Sequence, residues 1–142
     1  MSTYGALPEA GLVDTLKEGQ RLTTVGYGAR GFDLVSKPAL EPQPRPLDNR
    51  YSATVRLLNT NDALGEMFVK TTGVSLIKGK GESSCYGDSG GPLFVPDQQT
   101  IVGVTSFGTA PLCRGPGYYQ RLDLGLVLKV GPFVPLRELR SG

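Results

Sequence analysis

The sequence predicts a small all-β domain, an antiparallel barrel or sandwich, on three observations. Glycine and proline, 20 and 11 residues of 142, are spread along the whole length and cut the apolar runs short. That is the texture of many turns between short strands. A hydrophobic content of 39% is low but enough for a packed core and excludes wholesale disorder. The length accommodates one domain with a real core, and not two.

Arg21–Tyr27 is the first candidate strand. Lys37–Pro46 follows with four prolines, which predicts an extended, exposed loop. Tyr51–Leu58 alternates: Tyr51, Ala53, Val55 and Leu57 share one face, and Ser52, Thr54 and Arg56 the other. Glu66–Thr71, Pro92–Val95, Ile101–Phe107 and Gly117–Leu122 complete the set. Ile101–Phe107 is rich in β-branched residues, as a strand buried on both sides requires. Asp97-Gln98-Gln99 reads as the hairpin turn before it. Leu124–Val130 has helical apolar spacing, with Asp123 as its cap and Gly131-Pro132 as its stop.

Charge and composition exclude several functions. A net charge of +2 argues against a nucleic-acid binder, and Lys70, Lys78, Lys80 and the scattered arginines read as a solvated face. The chain has no histidine, so no imidazole base is available within it. Cys85 and Cys113 are too few ligands for a zinc site, and no metal or cofactor is expected. They are two buried thiols or one disulfide, which would close a loop of roughly 28 residues for roughly 3–4 kcal/mol. No signal peptide is visible at Met1–Gly5, and no run approaches the length of a membrane helix.

Chemistry concentrates in Cys85-Tyr86-Gly87-Asp88-Ser89-Gly90-Gly91-Pro92. Glycines around Ser89 permit a sharp turn and close backbone approach. The successive amides of Gly87, Asp88 and Ser89 form a potential anion nest. Donors aimed at a tetrahedral oxyanion are worth about 2.7–4 kcal/mol each. Taken alone, a Gly-x-Ser-Gly string is more often a solvated turn. The string also fits the nucleophile elbow of α/β-hydrolases, but an elbow needs a helix straight after the serine and a histidine downstream. Here Pro92-Leu93-Phe94-Val95 reads as a strand, and histidine is absent.

The string resembles the nucleophile segment C-x-G-D-S-G-G-P of the trypsin/chymotrypsin family of serine endopeptidases. Val25-Gly26-Tyr27-Gly28 is similar to the family's G-W-G turn, Thr105-Ser106-Phe107-Gly108 to its S-W-G strand, and Cys113 with Gly115–Tyr119 to its C…P-G-x-Y segment. The likeness runs from about Leu7 to about Val134. It implies the C-terminal barrel of a double-barrel protease over residues 1–142, a six-stranded antiparallel Greek-key barrel ending in a short helix. It also implies a Cys85–Cys113 disulfide, secretion and no cofactor. Ser89 would be the nucleophile, with the amides of Gly87 and Ser89 as oxyanion hole. Asp88 corresponds to the acid that orders the loop by pairing with a processed N-terminal amine; without that amine it is expected to lie unpaired. Tyr86, Ser106, Phe107 and Gly108 would line the substrate site, with Ser83 at the pocket floor and Gly117 on its wall. A neutral Ser83 predicts an apolar or aromatic specificity residue. Glu82, beside it, is off the matching position.

The family's histidine base and its orienting aspartate come from an N-terminal barrel, and neither has a counterpart here. The resemblance therefore predicts the nucleophile-bearing half of a serine endopeptidase, completed by a missing N-terminal half. The competing expectation is a non-catalytic module that keeps the protease scaffold. A single barrel of this kind would also expose the apolar face that packs on its twin, inviting association.

Overall fold

The structure, a computed structural model, describes residues 5–29, 32–36, 40–44, 49–58, 64, 66–74, 81–96 and 99–125. Among the described residues eight strands run in the order β1 (Arg21–Gly26), β2 (Phe32–Ser36), β3 (Leu40–Pro44), β4 (Tyr51–Arg56), β5 (Phe68–Thr71), β6 (Pro92–Phe94), β7 (Ile101–Gly108) and β8 (Gly117–Arg121). Six of them form one antiparallel sheet, ordered β4-β1-β6-β7-β8-β5. The sheet curls until its two edges meet at an antiparallel bridge between Leu57 and Thr71. Hydrogen bonds from Leu58 N–H to the Lys70 carbonyl and from Thr72 N–H to the Arg56 carbonyl, both 2.8 Å, close that seam. The result is the expected Greek-key barrel, and all six anticipated strands are present. The connection between β5 and β6 carries the Ser89 loop.

Alternation explains the core. Leu22 from β1, Val55 from β4, Val69 from β5, Leu93 from β6, Val102 from β7 and Tyr119 from β8 are each fully buried and meet inside. Val13, from the 3₁₀ turn Leu12–Thr15, seals one end. In β4 the alternation holds, with Val55 and Leu57 buried and Tyr51 at the exposed rim. β7 is buried over its first half and exposed from Ser106 to Gly108. Its register shifts between Thr105 and Phe107, so Thr105 opposes Tyr119 while Phe107 opposes Tyr118. Phe107 there stacks flat on Tyr118, ring centroids 4.7 Å apart, with Phe68 edge-on to its ring at 5.3 Å.

Three expectations need correction or comment. The proline-rich stretch is not simply a loop: Leu40–Pro44 is a strand paired with Phe32–Ser36 in a separate two-stranded sheet. Pro42 and Pro44, two residues apart, lack their N–H groups on the same side, which an outer strand edge tolerates. Asp123 does not cap a helix. Its carboxylate turns inward and accepts from Arg121 Nε (2.9 Å), Arg121 Nη2 (2.8 Å) and Val13 N–H (2.8 Å). Residues 126–142, with most of the expected helix, and Asp97-Gln98 of the expected turn lie outside the described residues.

Arg121 is itself buried and reaches on to Asp14 at 2.9–3.0 Å. These bonds push its guanidinium further above its ordinary range, and they hold the Asp14 carboxyl below its own.

Candidate active site

Ser89 is exposed at the tip of a loop whose every turn is tied down. Asp88 N–H donates to the Cys85 carbonyl (3.0 Å) and Gly91 N–H to the Asp88 carbonyl (2.8 Å). Gly90 N–H donates to the Thr105 carbonyl (3.0 Å), and Thr105 returns its N–H (2.9 Å) and hydroxyl (3.1 Å) to the Gly91 carbonyl. The loop is thus stitched to β7 immediately before the exposed Ser106–Gly108. Cys85 and Cys113 form the disulfide, with Cα atoms 5.1 Å apart, and so bind the loop to the β7–β8 connection.

The Asp88 side chain folds under the loop. One carboxylate oxygen accepts from Gly28 N–H (2.7 Å), the other from Cys85 N–H (2.8 Å). A Cβ at Gly26 or Gly28 would overlap that carboxylate, which is why the Gly26-Tyr27-Gly28 turn has glycine on both sides. Asp88 is therefore not an unpaired carboxylate: two backbone donors satisfy it. The three-amide nest also contracts to two, because Asp88 N–H is committed to Cys85. The N–H groups of Gly87 and Ser89 have no acceptor among the described residues. Gly87 sits at φ 96°, a conformation that strains any side-chain-bearing residue. The arrangement leaves two backbone donors flanking an exposed hydroxyl, suited chemically to an anion developing on an atom attacked by Ser89.

Two clefts open beside Ser89. One, about 280 Å³, is lined by Tyr86, Ser106, Phe107 and Gly108 together with Ser84, Thr105 and Ala110, and no charged residue lines it. The other, about 800 Å³, is lined by Tyr27, Arg50, Tyr51, Pro92 and Phe94. The first brings together five of the predicted residues: Ser89, Tyr86, Ser106, Phe107 and Gly108. Ser83 is not among them. Its hydroxyl donates to the Cys113 carbonyl (2.7 Å), and it faces a separate cavity of about 420 Å³ behind the loop, shared with Asp88 and Thr24. Gly117 is buried behind Ser84, where an added Cβ would lie 3.6 Å from the Ser84 hydroxyl. Ser84, missed by the sequence reading, accepts from Tyr119 O–H at 3.1 Å and lines the cleft in place of its neighbour. In an extended segment only one of two adjacent side chains faces a given side, so alternation places one of these serines at the cleft without saying which. Glu82 accepts a hydrogen bond from Thr54 N–H on β4, away from the cleft.

A six-stranded Greek-key barrel with a serine on a Gly-Asp-Ser-Gly-Gly crossover loop defines the class. The trypsin family model matches residues 5–126, and the chain belongs to that family. Serine protease 1 of Drosophila melanogaster is 34% identical over 73 residues, which cover 50% of this chain and 28% of that protein. Kallikrein 1-related peptidase b5 of Mus musculus is 34% identical over 82 residues, 54% of this chain and 31% of that one. The matches thus span less than a third of these relatives. Among solved structures, a mutant of human heparin binding protein (CAP37) superposes with a TM-score of 0.65 at 23% identity, covering 93% of this chain and 53% of that one. HL collagenase gives 0.57 at 20% identity, over 82% of this chain and 47% of that one. Both establish the fold. Among the described residues, no helix is long and apolar enough to cross a membrane.

Proposed function

We propose that residues 1–142 form the C-terminal barrel of a two-barrel serine endopeptidase and carry its nucleophile. The observation that supports this reading is the pair of free backbone donors, Gly87 and Ser89, flanking the exposed Ser89 hydroxyl beside a neutral cleft. Ser89 attacks the scissile carbonyl, the two amides hold the oxyanion, and Ser106–Gly108 align the substrate backbone. A neutral lining favours an apolar or aromatic side chain in the cleft, with Ser84 rather than Ser83 at its inner wall. The disulfide fits secretion into an oxidising compartment.

The chain has no histidine, so the base and its orienting acid come from another polypeptide segment. The wide cleft on the other side of Ser89, bordered by exposed Tyr27 (57%) and Tyr51 (39%), is the surface on which that segment packs. Without it, catalysis is limited to what the oxyanion donors provide, roughly 10³ over water. A fluorophosphonate probe tests this. The isolated chain is expected to label no faster than an S89A control, and supplying a histidine-bearing N-terminal barrel is expected to give rapid labelling at Ser89 and peptide hydrolysis. Rapid labelling of the isolated chain would overturn the assignment of an external base. No labelling in the completed protein would favour the second reading, a non-catalytic binding module on the protease scaffold, which the absence of histidine recommends.

A further inference from the structure

The first rung of the β1–β4 ladder sets Arg21 directly opposite Arg56. The adjacent pair, Leu22 and Val55, fills the core, so both arginines leave the sheet on its outer face, and both are exposed. Like charges directly opposite on an antiparallel pair are destabilising. Among the described residues neither arginine has a carboxylate within ion-pair distance; Glu18, in the turn before β1, pairs with neither. Arg56 is also held in place. Its Nη1 donates to the Gly19 carbonyl (3.1 Å), and its backbone N–H to the Thr72 hydroxyl (2.9 Å). The turn supplying that carbonyl is pinned to the end of β4 by Gly19 N–H to Leu57 O (2.8 Å) and Leu57 N–H to Gln20 O (2.9 Å).

We propose that Arg21 and Arg56 bind a single tetrahedral oxyanion, a phosphate or sulfate group. Each guanidinium is a planar fork that engages two oxygens of such a group. Arg56 commits one N–H to Gly19, and the rest of its fork has no partner among the described residues. A tetrahedral oxyanion presents oxygens to both forks at once and neutralises both charges, whereas a carboxylate matches one fork. A net charge of only +2 fits one oxyanion rather than a polyphosphate track. The group is either a free ion or an ester on a saccharide. The site is separate from the Ser89 cleft and stands whatever Ser89 does.

Titration with sodium phosphate at constant ionic strength, read on the arginine Nε–Hε resonances, tests the proposal. Two resonances, one missing from R21S and the other from R56S, are expected to shift saturably with a shared dissociation constant. Each single variant is expected to weaken binding by about tenfold or more, the loss of a charge-assisted hydrogen bond. Without phosphate, R21S is expected to melt no lower than the parent, because the like-charge pair is relieved. N-acetylglucosamine 6-sulfate in a parallel titration separates the two sources: tighter saturation by the ester assigns a glycan, tighter saturation by phosphate a free ion. A linear, non-saturating drift overturns the proposal, as does a saturable response that survives in the R21S/R56S double variant.

Discussion

At one end of β8, Arg121 and Asp123 are buried and hydrogen-bonded to each other twice over, with Asp14 and Val13 completing the set. At the other end, the loop around Ser89 is equally well wired through Asp88, Gly90, Gly91 and Thr105, yet it leaves the Gly87 and Ser89 amides open beside an exposed hydroxyl. The first region spends its polar groups on itself. The second spends all but those facing the cleft. Buried polar groups that are fully satisfied serve architecture, and donors left open on a rigid frame serve an incoming ligand.

Breaking the closed end should cost most. R121M leaves the Asp123 carboxylate buried without its cation and is expected to lose about 3–5 kcal/mol in denaturant unfolding, whereas a double variant with an apolar residue at Asp123 recovers much of that. Next comes the covalent tie of the open end: C85S/C113S is expected to lose about 2–5 kcal/mol by the same measurement. D88A strands the Gly28 and Cys85 N–H groups and is expected to lose about 1–3 kcal/mol, while S89A one residue away stays within about 0.5 kcal/mol. Equal losses for D88A and S89A would abolish the distinction between wiring and open donors.

The smallest effect is a pH dependence. The Asp14 carboxyl is held below its ordinary value of 3.8, mainly by its hydrogen bond from Arg121. Its contribution is therefore complete at neutral pH, begins to fall as pH approaches 3.8, and is gone once pH passes the depressed folded value. The Tm difference between the parent and D14N should shrink to nothing over that acid window. Because the Asp14 side chain is 65% exposed, solvent screening keeps the difference small.

Much of this was readable from residue order. The six barrel strands followed from alternation and turn residues, as in Ala53, Val55 and Leu57, because a sheet with one buried face prints its period on the chain. The β2–β3 pairing was missed because Pro42 and Pro44 read as breakers, and a backbone edge that needs no donors leaves no mark in composition. Asp123 was read as a cap because its neighbours are helical in spacing; its partner Arg121 shares no local pattern with Asp14, which is over a hundred residues away. Ser89, Gly87 and Asp88 were legible as a contiguous string. The choice between Ser83 and Ser84 was not, since it depends on which hydroxyl reaches Cys113 or Tyr119 across the fold.

The register shift in β7 has a consequence of parity. Thr105 and Phe107, both odd-numbered, would point to the same side of an unbroken strand. Thr105 lies opposite Tyr119 and Phe107 opposite Tyr118, two neighbours that point to opposite sides of β8. One extra residue, Ser106, reverses the phase. A single strand thereby serves as barrel wall up to Thr105 and is exposed beside the cleft from Ser106 onward. In an unbroken strand Phe107 would share the inner side of Thr105; the bulge instead keeps its ring stacked on Tyr118 at the border of the cleft.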